Sequence, residues 1–237
     1  MKIKKVALCV LTRNELPCLK VIFPKMPRPS QEAGFDAIYA IDGGSTDGTV
    51  EFFSENNIPV IAQSKRGRGE AFLIAFREID ADAYVFFSPD GNESIDDICK
   101  FKPILECGAD LVIASRMMKG AVNEEDHQFL RLRKWANNAF NLAVNLLFRR
   151  KGQFISDSIN GFRAITKSAA DRLQLDAWDY TIEYQMTMRA LKARMKIVEF
   201  PTIEGQRIAG ETGAPSFQTG LRFIGRLFKE FFAAPRV

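Results

Sequence analysis

The sequence predicts an α/β fold: one domain with a mainly parallel central sheet flanked by helices, followed by a C-terminal amphipathic helix. Three observations carry this. Short, unbroken apolar runs recur through the first half of the chain. Segments with helical spacing separate them. The chain has 237 residues, enough for one large domain with its own core but not for two comfortable ones.

The apolar runs are Val6–Leu11, Ala37–Ile41, Pro59–Ala62, Tyr84–Phe87 and Leu111–Ala114. Runs without polar alternation suit strands buried on both faces, as in a parallel sheet. Between them, Ala71, Ile74, Ala75 and Glu78 follow Gly69 at helical spacing, as do Ile95, Ile98, Lys102 and Leu105. Strand alternating with helix implies right-handed crossovers, and ligands then bind at the carboxyl ends of the strands. From about Asp126 the texture changes. Phe129–Arg150 reads as one helix, Asn160–Thr166 as a strand-turn, Ser168–Leu173 and Ile182–Ala193 as helices, and Ile197–Phe200 as a strand. A Gly-rich loop, Gly205–Pro215, leads into a last helix, Phe217–Phe232. The organisation is one domain over 1–215, with halves of about 1–120 and 121–215, and a terminal helix over 216–237.

Composition narrows the function. Hydrophobic residues make up 46% and charged residues 26%, an ordinary globular balance, and the net charge of +4 argues against a dedicated nucleic-acid binder. Cys9, Cys18, Cys99 and Cys107 form no C-x-x-C pair and His127 is the only histidine, which excludes a Cys/His zinc site. Cys9, in an apolar run, reads as a buried thiol, and the pattern points to a reducing, cytoplasmic compartment. The N-terminal MKIKKVALCVLTRNE turns polar too soon for a signal peptide. No stretch approaches the roughly 20 apolar residues of a spanning helix, so the expected protein is cytoplasmic, soluble or held at a membrane surface.

The chemistry sits where strands end. The first strand stops at Leu11-Thr12-Arg13-Asn14-Glu15, and the second at Ile41-Asp42-Gly43-Gly44-Ser45-Thr46-Asp47-Gly48-Thr49. Glycines there admit a close backbone approach, and free N–H groups and hydroxyls suit a ribose or phosphate; taken alone, a plain turn explains the same residues. The fourth strand runs into Ser88-Pro89-Asp90-Gly91-Asn92-Glu93. Acidic groups at a strand end are costly without a partner. Mg2+ or Mn2+ bridging Asp90 to a diphosphate supplies one. Asp96 and Asp97 instead fit the start of the next helix, with Asn92 or Ser94 as its cap.

The ordered set L-T-R-N-E, I-D-G-G-S-T-D-G-T, K-R-G-R-G-E-A, S-P-D-G-N-E and I-A-S-R-M resembles the family-two inverting glycosyltransferases of the GT-A (Rossmann-like) fold. Asp157-Ser-Ile-Asn-Gly161-Phe162-Arg163, Tyr184-Gln185-Met186 and Arg207-x-x-Gly210-Glu211-Thr212 are similar to the dolichyl- and polyprenyl-phosphate sugar (mannose or glucose) synthases within it. The resemblance implies a donor, GDP- or UDP-hexose, bound by Asn14, Glu15, Asp42, Gly44, Ser45, Gly69 and Asp90 in the first half and by Arg207 in the second. It implies metal at Asp90, catalytic roles for Asp90, Arg116 and Arg207, and an acceptor, polyprenyl phosphate, met by Arg116, Arg131, Arg133, Arg163 and Gln185. Asp157 and Arg163 shape the site or form a structural ion pair.

Two departures stand out. The usual metal motif is Asp-x-Asp, whereas this chain reads Ser88-Pro89-Asp90, and many relatives carry Asp-Asp-Gly-Ser where it has Asp42-Gly43-Gly44-Ser45. A phosphate acceptor is already anionic and needs no general base, whereas an alcohol does. Thr187 stands where alcohol-using relatives carry an acid, which fits the phosphate, but Glu183 nearby keeps a saccharide or small-alcohol acceptor open. A non-catalytic nucleotide-sugar binding protein is the third reading. A dinucleotide site is excluded, since Gly67-x-Gly69-x-x-Phe72 lacks the third glycine and does not sit on the first turn.

Two segments raise the membrane surface. In 129–148, Asn138, Asn141 and Asn145 form a polar stripe on a broadly apolar helix flanked by Arg131, Arg133, Lys134, Arg149, Arg150 and Lys151. In the last helix Phe217, Leu221, Ile224, Phe228, Phe231 and Phe232 share one side, with Arg222, Arg226 and Lys229 elsewhere. Such helices lie in bilayer interfaces or pack on the sheet or a second subunit. Peripheral attachment to the inner face of the membrane and homo-oligomer formation are both left open.

Overall fold

The structure is a computed structural model and describes residues 3–30, 32–126, 131–209 and 216–233. His127, Phe129 and the Gly210-Glu211-Thr212 motif lie outside the described residues, as does the Phe217 side chain.

Seven strands form one sheet in the order β3-β2-β1-β4-β6-β5-β7. They are β1 (Val6–Thr12), β2 (Ala37–Asp42), β3 (Val60–Ala62), β4 (Ala83–Phe87), β5 (Leu111–Ser115), β6 (Arg163–Thr166) and β7 (Ile197–Pro201). All neighbours run parallel except β6, which is antiparallel to both β4 and β5. Every apolar run of the first half is thus a strand, within a residue or so.

The uninterrupted apolar pattern has a plain cause. Successive side chains point to opposite faces, and both faces are covered. Ala7, Cys9 and Leu11 join a core with α3 (Arg68–Glu78), α5 (Leu132–Phe148), α6 (Lys167–Leu173) and α7 (Ile182–Lys192). Val6, Leu8 and Val10 join a second core with α1 (Leu16–Ile22), α2 (Thr49–Glu55) and α4 (Phe101–Glu106). The helix expected from Ile95 comes in two pieces, a 3₁₀ segment Ile95–Lys100 and then α4. Pro103 sits near the start of α4, where its missing N–H costs nothing.

The last helix, α8 (Ser216–Phe232), packs against α5 and α7 through Phe223, whose ring lies 5.4 Å from Phe140 and 5.3 Å from Tyr184. The asparagine stripe of α5 splits. Asn138 is exposed, whereas Asn141 and Asn145 are buried and hold the loop over 155–158. Asn145 Oδ1 accepts from Ile155 N (2.9 Å), its Nδ2 donates to Ile155 O (2.8 Å), and Asn141 Oδ1 accepts from Ser158 N (2.8 Å). The amides of α5 thus face inward, and Leu132, Trp135, Leu142 and Leu146 face outward, Leu146 at 74% exposure. On α8, Glu230 is buried against Arg189 of α7 (2.9 Å) while Leu221, Phe228 and Phe232 are exposed. The two adjoining helices therefore present apolar side chains outward. Among the described residues no helix is long and apolar enough to cross a membrane.

Candidate active site

A cleft of about 520 Å³ opens at the carboxyl ends of β1, β2, β3 and β4. Its walls carry Arg13, Asn14 and Glu15 after β1, Gly43 after β2, Gln63, Arg66 and Arg68 after β3, Ser88 and Asp90 after β4, and Tyr180 and Arg207 from the second half. Cations outnumber acids among these side chains, which suits an anionic ligand.

The β1 and β2 loops knit each other. Parallel register sets Thr12 beside Asp42. Asp42 is 4% exposed: Oδ2 accepts from Gly44 N and Ser45 N (both 2.9 Å) and Oδ1 from the Ser45 hydroxyl. Asn14 holds the facing side, its N–H donating to Ser45 Oγ and its Oδ1 accepting from Thr46 N, each at 2.8 Å. Asp47, unmarked in the sequence reading, accepts from Leu16 N (3.0 Å) and the Thr49 hydroxyl (2.7 Å). Asp42, Gly44 and Ser45 thus shape the floor through one another, while Asn14 and Glu15 line the cleft. Burial pushes the Glu15 carboxyl above the usual carboxylate range.

Arg68 is the largest feature that sequence reading missed. Its Nε pairs with Glu183 of α7, and its Nη1 donates to Ser88 Oγ at 3.2 Å. The signal was present in K-R-G-R-G: a Cβ on Gly69 would lie 2.1 Å from Ala177 O, so that glycine sets how closely α3 meets the 177–178 backbone and delivers Arg68. Gly69, read as donor-binding, is buried in this contact. Behind the β4 turn, Glu93 accepts from Ser88 N at 2.7 Å. Burial, with the Asp90 charge beside it, pushes its carboxyl up to about 8.

None of the residues expected at the acceptor lines this cleft. Arg116 clamps Asp157 through Nε (2.8 Å) and Nη2 (3.1 Å) and reaches Glu204 at 3.2 Å. Burial raises the cost of the Asp157 charge, but Arg116 outweighs it and holds that carboxyl below the usual range. Asp157 is therefore ion-paired to Arg116. Arg163 is fully buried and donates to Asn160 O (2.6 Å), Glu183 O (2.9 Å) and Thr187 Oγ1 (3.2 Å). Gln185 is fully buried too, accepting from Ala177 N (2.9 Å) and donating to Glu230 (2.7 Å). Arg131 and Arg133 pair with Asp126 (3.4 Å) and Glu124 (2.7 Å). Of the expected site residues, the cleft walls gather Asn14, Glu15, Asp90 and Arg207.

Asp90 Oδ2 lies 2.7 Å from Arg207 Nη2, and its Oδ1 accepts from Asn92 N at 3.1 Å. Among the described residues no three His, Cys, Asp or Glu side chains gather as a metal cage. Mg2+ and Mn2+ need none, since one or two protein oxygens plus substrate phosphates hold such ions. A second oxygen is at hand: Asn92 Oδ1 is buried with no hydrogen-bond partner among the described residues, a situation that costs about 1–3 kcal/mol. The residues present fit a hard cation.

Comparison with known proteins agrees with this geometry. Residues 9–173 match the family described as glycosyl transferase family 2. The chain is 30% identical to glycosyltransferase AglJ of Haloferax volcanii over 202 residues, 83% of this chain and 62% of that protein. It is 28% identical to the dolichol-phosphate mannosyltransferase of Pyrococcus furiosus over 235 residues, 95% of this chain and 64% of that protein. The chain thus spans less than two thirds of the length of either relative. The fold matches glucosyl-3-phosphoglycerate synthase from Mycobacterium tuberculosis, solved with Mn2+, uridine diphosphate and phosphoglyceric acid. That match has a TM-score of 0.76 at 16% identity and covers 98% of this chain and 80% of that one.

Proposed function

The chain belongs to glycosyl transferase family 2, and on that premise we propose that it moves a hexose from a GDP- or UDP-sugar to a polyprenyl phosphate at a membrane surface. One observation carries the choice of acceptor. Glu183, the base that an alcohol acceptor would call on, is 2% exposed and paired with Arg68. An anionic phosphate oxygen needs no base. It attacks the anomeric carbon from the face opposite the diphosphate, the new carbon–oxygen bond forms as the bond to the diphosphate breaks, and the configuration inverts.

The residues of the cleft act on the leaving group. Arg207 and Arg68 present guanidinium forks to the diphosphate, whose oxygens they match in shape and charge. Asp90 would hold a divalent cation, which would supply further neutralisation of the charge that develops there. Asn14 and the Asp42-pinned turn keep the nucleotide end of the cleft in shape. The dolichol-phosphate mannosyltransferase relative supports a lipid phosphate acceptor. So do the outward apolar side chains of α5 and α8 beside exposed Arg149, Arg150 and Lys151. Aromatic and leucine side chains with flanking cations suit the interface of an anionic bilayer.

The test is direct. Purified protein, Mn2+, a labelled nucleotide sugar and vesicles containing polyprenyl phosphate should yield label that extracts into organic solvent and is released by mild acid. Label found only on a soluble alcohol would overturn the acceptor.

A further inference from the structure

The loop from Asp176 to Thr181 builds one wall of the cleft, and Tyr180 lines the cleft itself. The backbone just before Tyr180 lies directly on the start of α3. Trp178 O accepts from Glu70 N (3.1 Å), and a Cβ on Gly67 or Gly69 would fall 2.1 Å from Trp178 O or Ala177 O. Arg68 stands between those two glycines. One contact thus sets both the loop and the arginine.

The other side of the loop is held by α8. Phe223 and Leu227 seat this helix on the core. An amphipathic helix usually turns only its apolar stripe inward, yet α8 also turns cations toward the loop. Arg226 Nε donates to Thr181 Oγ1 (3.1 Å), and its Nη1 pairs with Asp176 (3.3 Å). Lys229 reaches the same carboxylate (3.2 Å), and Arg222 lies 4.0 Å from Asp179. Their spacing puts these cations on one side of the helix. Arg226 is the innermost, its side chain 12% exposed against 51% for Arg222 and 58% for Lys229. A second tie runs through Glu230. It accepts from Gln185 Nε2 (2.7 Å), which leaves Gln185 Oε1 to the N–H groups of Asp176 (3.1 Å) and Ala177 (2.9 Å).

We propose that α8 is part of the build of the cleft, with Arg226 a positioning residue that acts through the loop 176–181 on Tyr180 and Arg68. This rests on the nucleotide-sugar reading above. A loop fixed at Asp176, Asp179 and Thr181 presents Tyr180 in one place, and its backbone then fixes the start of α3 and the guanidinium that α3 delivers. Loss of the tie frees both cleft-wall groups, and ordering them again costs binding energy. The donor is then held less tightly, although no described residue of α8 lines the cleft.

The experiment pairs donor binding with the fluorescence of Trp178, which is half exposed on the loop. All proteins carry Trp135→Phe, leaving Trp178 as the single tryptophan. UDP-glucose and GDP-mannose are titrated by calorimetry with Mn2+ present, and Trp178 is quenched with acrylamide in the absence of ligand. Arg226→Gln should weaken the donor that wild type accepts by about 10-fold, the effect expected of a residue coupled to a site it does not touch. It should also leave Trp178 more open to acrylamide. Arg226→Lys keeps a charge beside Asp176 and should recover part of both. Urea unfolding checks that each variant is folded in the assay. A merely structural Arg226 would lower the unfolding midpoint and leave both readouts of the folded protein at wild type, which overturns the proposal. A change in only one readout overturns it too. Failure of the broader reading looks different. Neither donor then binds wild type, while quenching of Trp178 in Arg226→Gln still decides whether α8 holds the loop.

Discussion

The arginines of the cleft wall and those turned into the interior live under different conditions. Arg13, Arg66, Arg68 and Arg207 line an open cleft, where Arg68 keeps one carboxylate partner in Glu183 and Arg207 one in Asp90. Arg116, Arg163 and Arg189 are turned inward: Arg116 onto Asp157 and Glu204, Arg163 onto backbone oxygens, and Arg189 onto Asp176 and Glu230. The residue type is the same and the motifs are equally conspicuous, so the partner decides the role. A guanidinium ringed by protein acceptors is part of the framework. One that faces a cleft with at most one carboxylate partner keeps N–H groups for an anion. The inward set also explains how the second half stays ordered around the loop over 155–158, which carries Asp157 and is held from α5 by asparagines.

The sharpest way to break this contrast is Asp157→Ala. It leaves Arg116 buried beside Glu204 alone, and removing one partner of a buried pair costs about 3–5 kcal/mol. Urea unfolding should show that loss. A variant as stable as wild type would mean that Arg116 is not framework and would return it to the acceptor. Asp90→Asn should do the reverse. Turnover should fall about 100- to 1,000-fold, as when one preorganised charge contact to a transition state is removed, while the urea midpoint moves little because its pair with Arg207 is partly exposed and worth about 0–1 kcal/mol.

A pH series sharpens the comparison at the boundary between the two sets. The folded Glu93 carboxyl is pushed up to about 8 from an ordinary 4.5. Between those values the folded state holds a proton that the unfolded state has released, so stability falls as pH rises from near 4.5 to about 8. One such proton sets a slope of at most about 1.4 kcal/mol per pH unit. Glu93→Gln should flatten that part of the stability profile, and an unchanged slope would assign it to other groups. The smallest effect concerns α5 and α8. Leu146→Glu with Phe232→Glu should alter stability by less than about 0.5 kcal/mol, since both side chains are exposed. Sedimentation with anionic vesicles should nevertheless drop several-fold, and undiminished sedimentation would remove these helices from the membrane reading.

The sheet was legible because its strands are buried on both faces, and such strands write themselves as unbroken apolar runs. The cleft loops were legible because glycines and short polar side chains cluster where a strand stops. Side-chain partnership was not legible. Arg116 meets Glu204 across 88 positions and Arg68 meets Glu183 across 115, and no local pattern carries that information. The asparagines of α5 show a subtler limit. Their spacing marks a polar stripe, but a stripe can face water or a loop whose backbone needs partners, and the periodicity is identical in both cases. Asn141 and Asn145 face the loop.

The antiparallel strand β6 has a consequence for the timing of assembly. It sits between β4 and β5, yet it is made after both. At about 5–20 residues per second, the roughly 80 residues from the end of β4 to the end of β6 take about four to sixteen seconds to emerge from a ribosome. Throughout that interval the nascent sheet ends at β4 with an open apolar edge, the kind that invites wrong pairing. A chain ending after β5 would keep that edge for good and would lack Arg207 of the cleft wall. The part of the chain that ends at β5 is thus not a unit of folding, and shielding β4 until Arg163–Thr166 arrives should raise the yield of native protein.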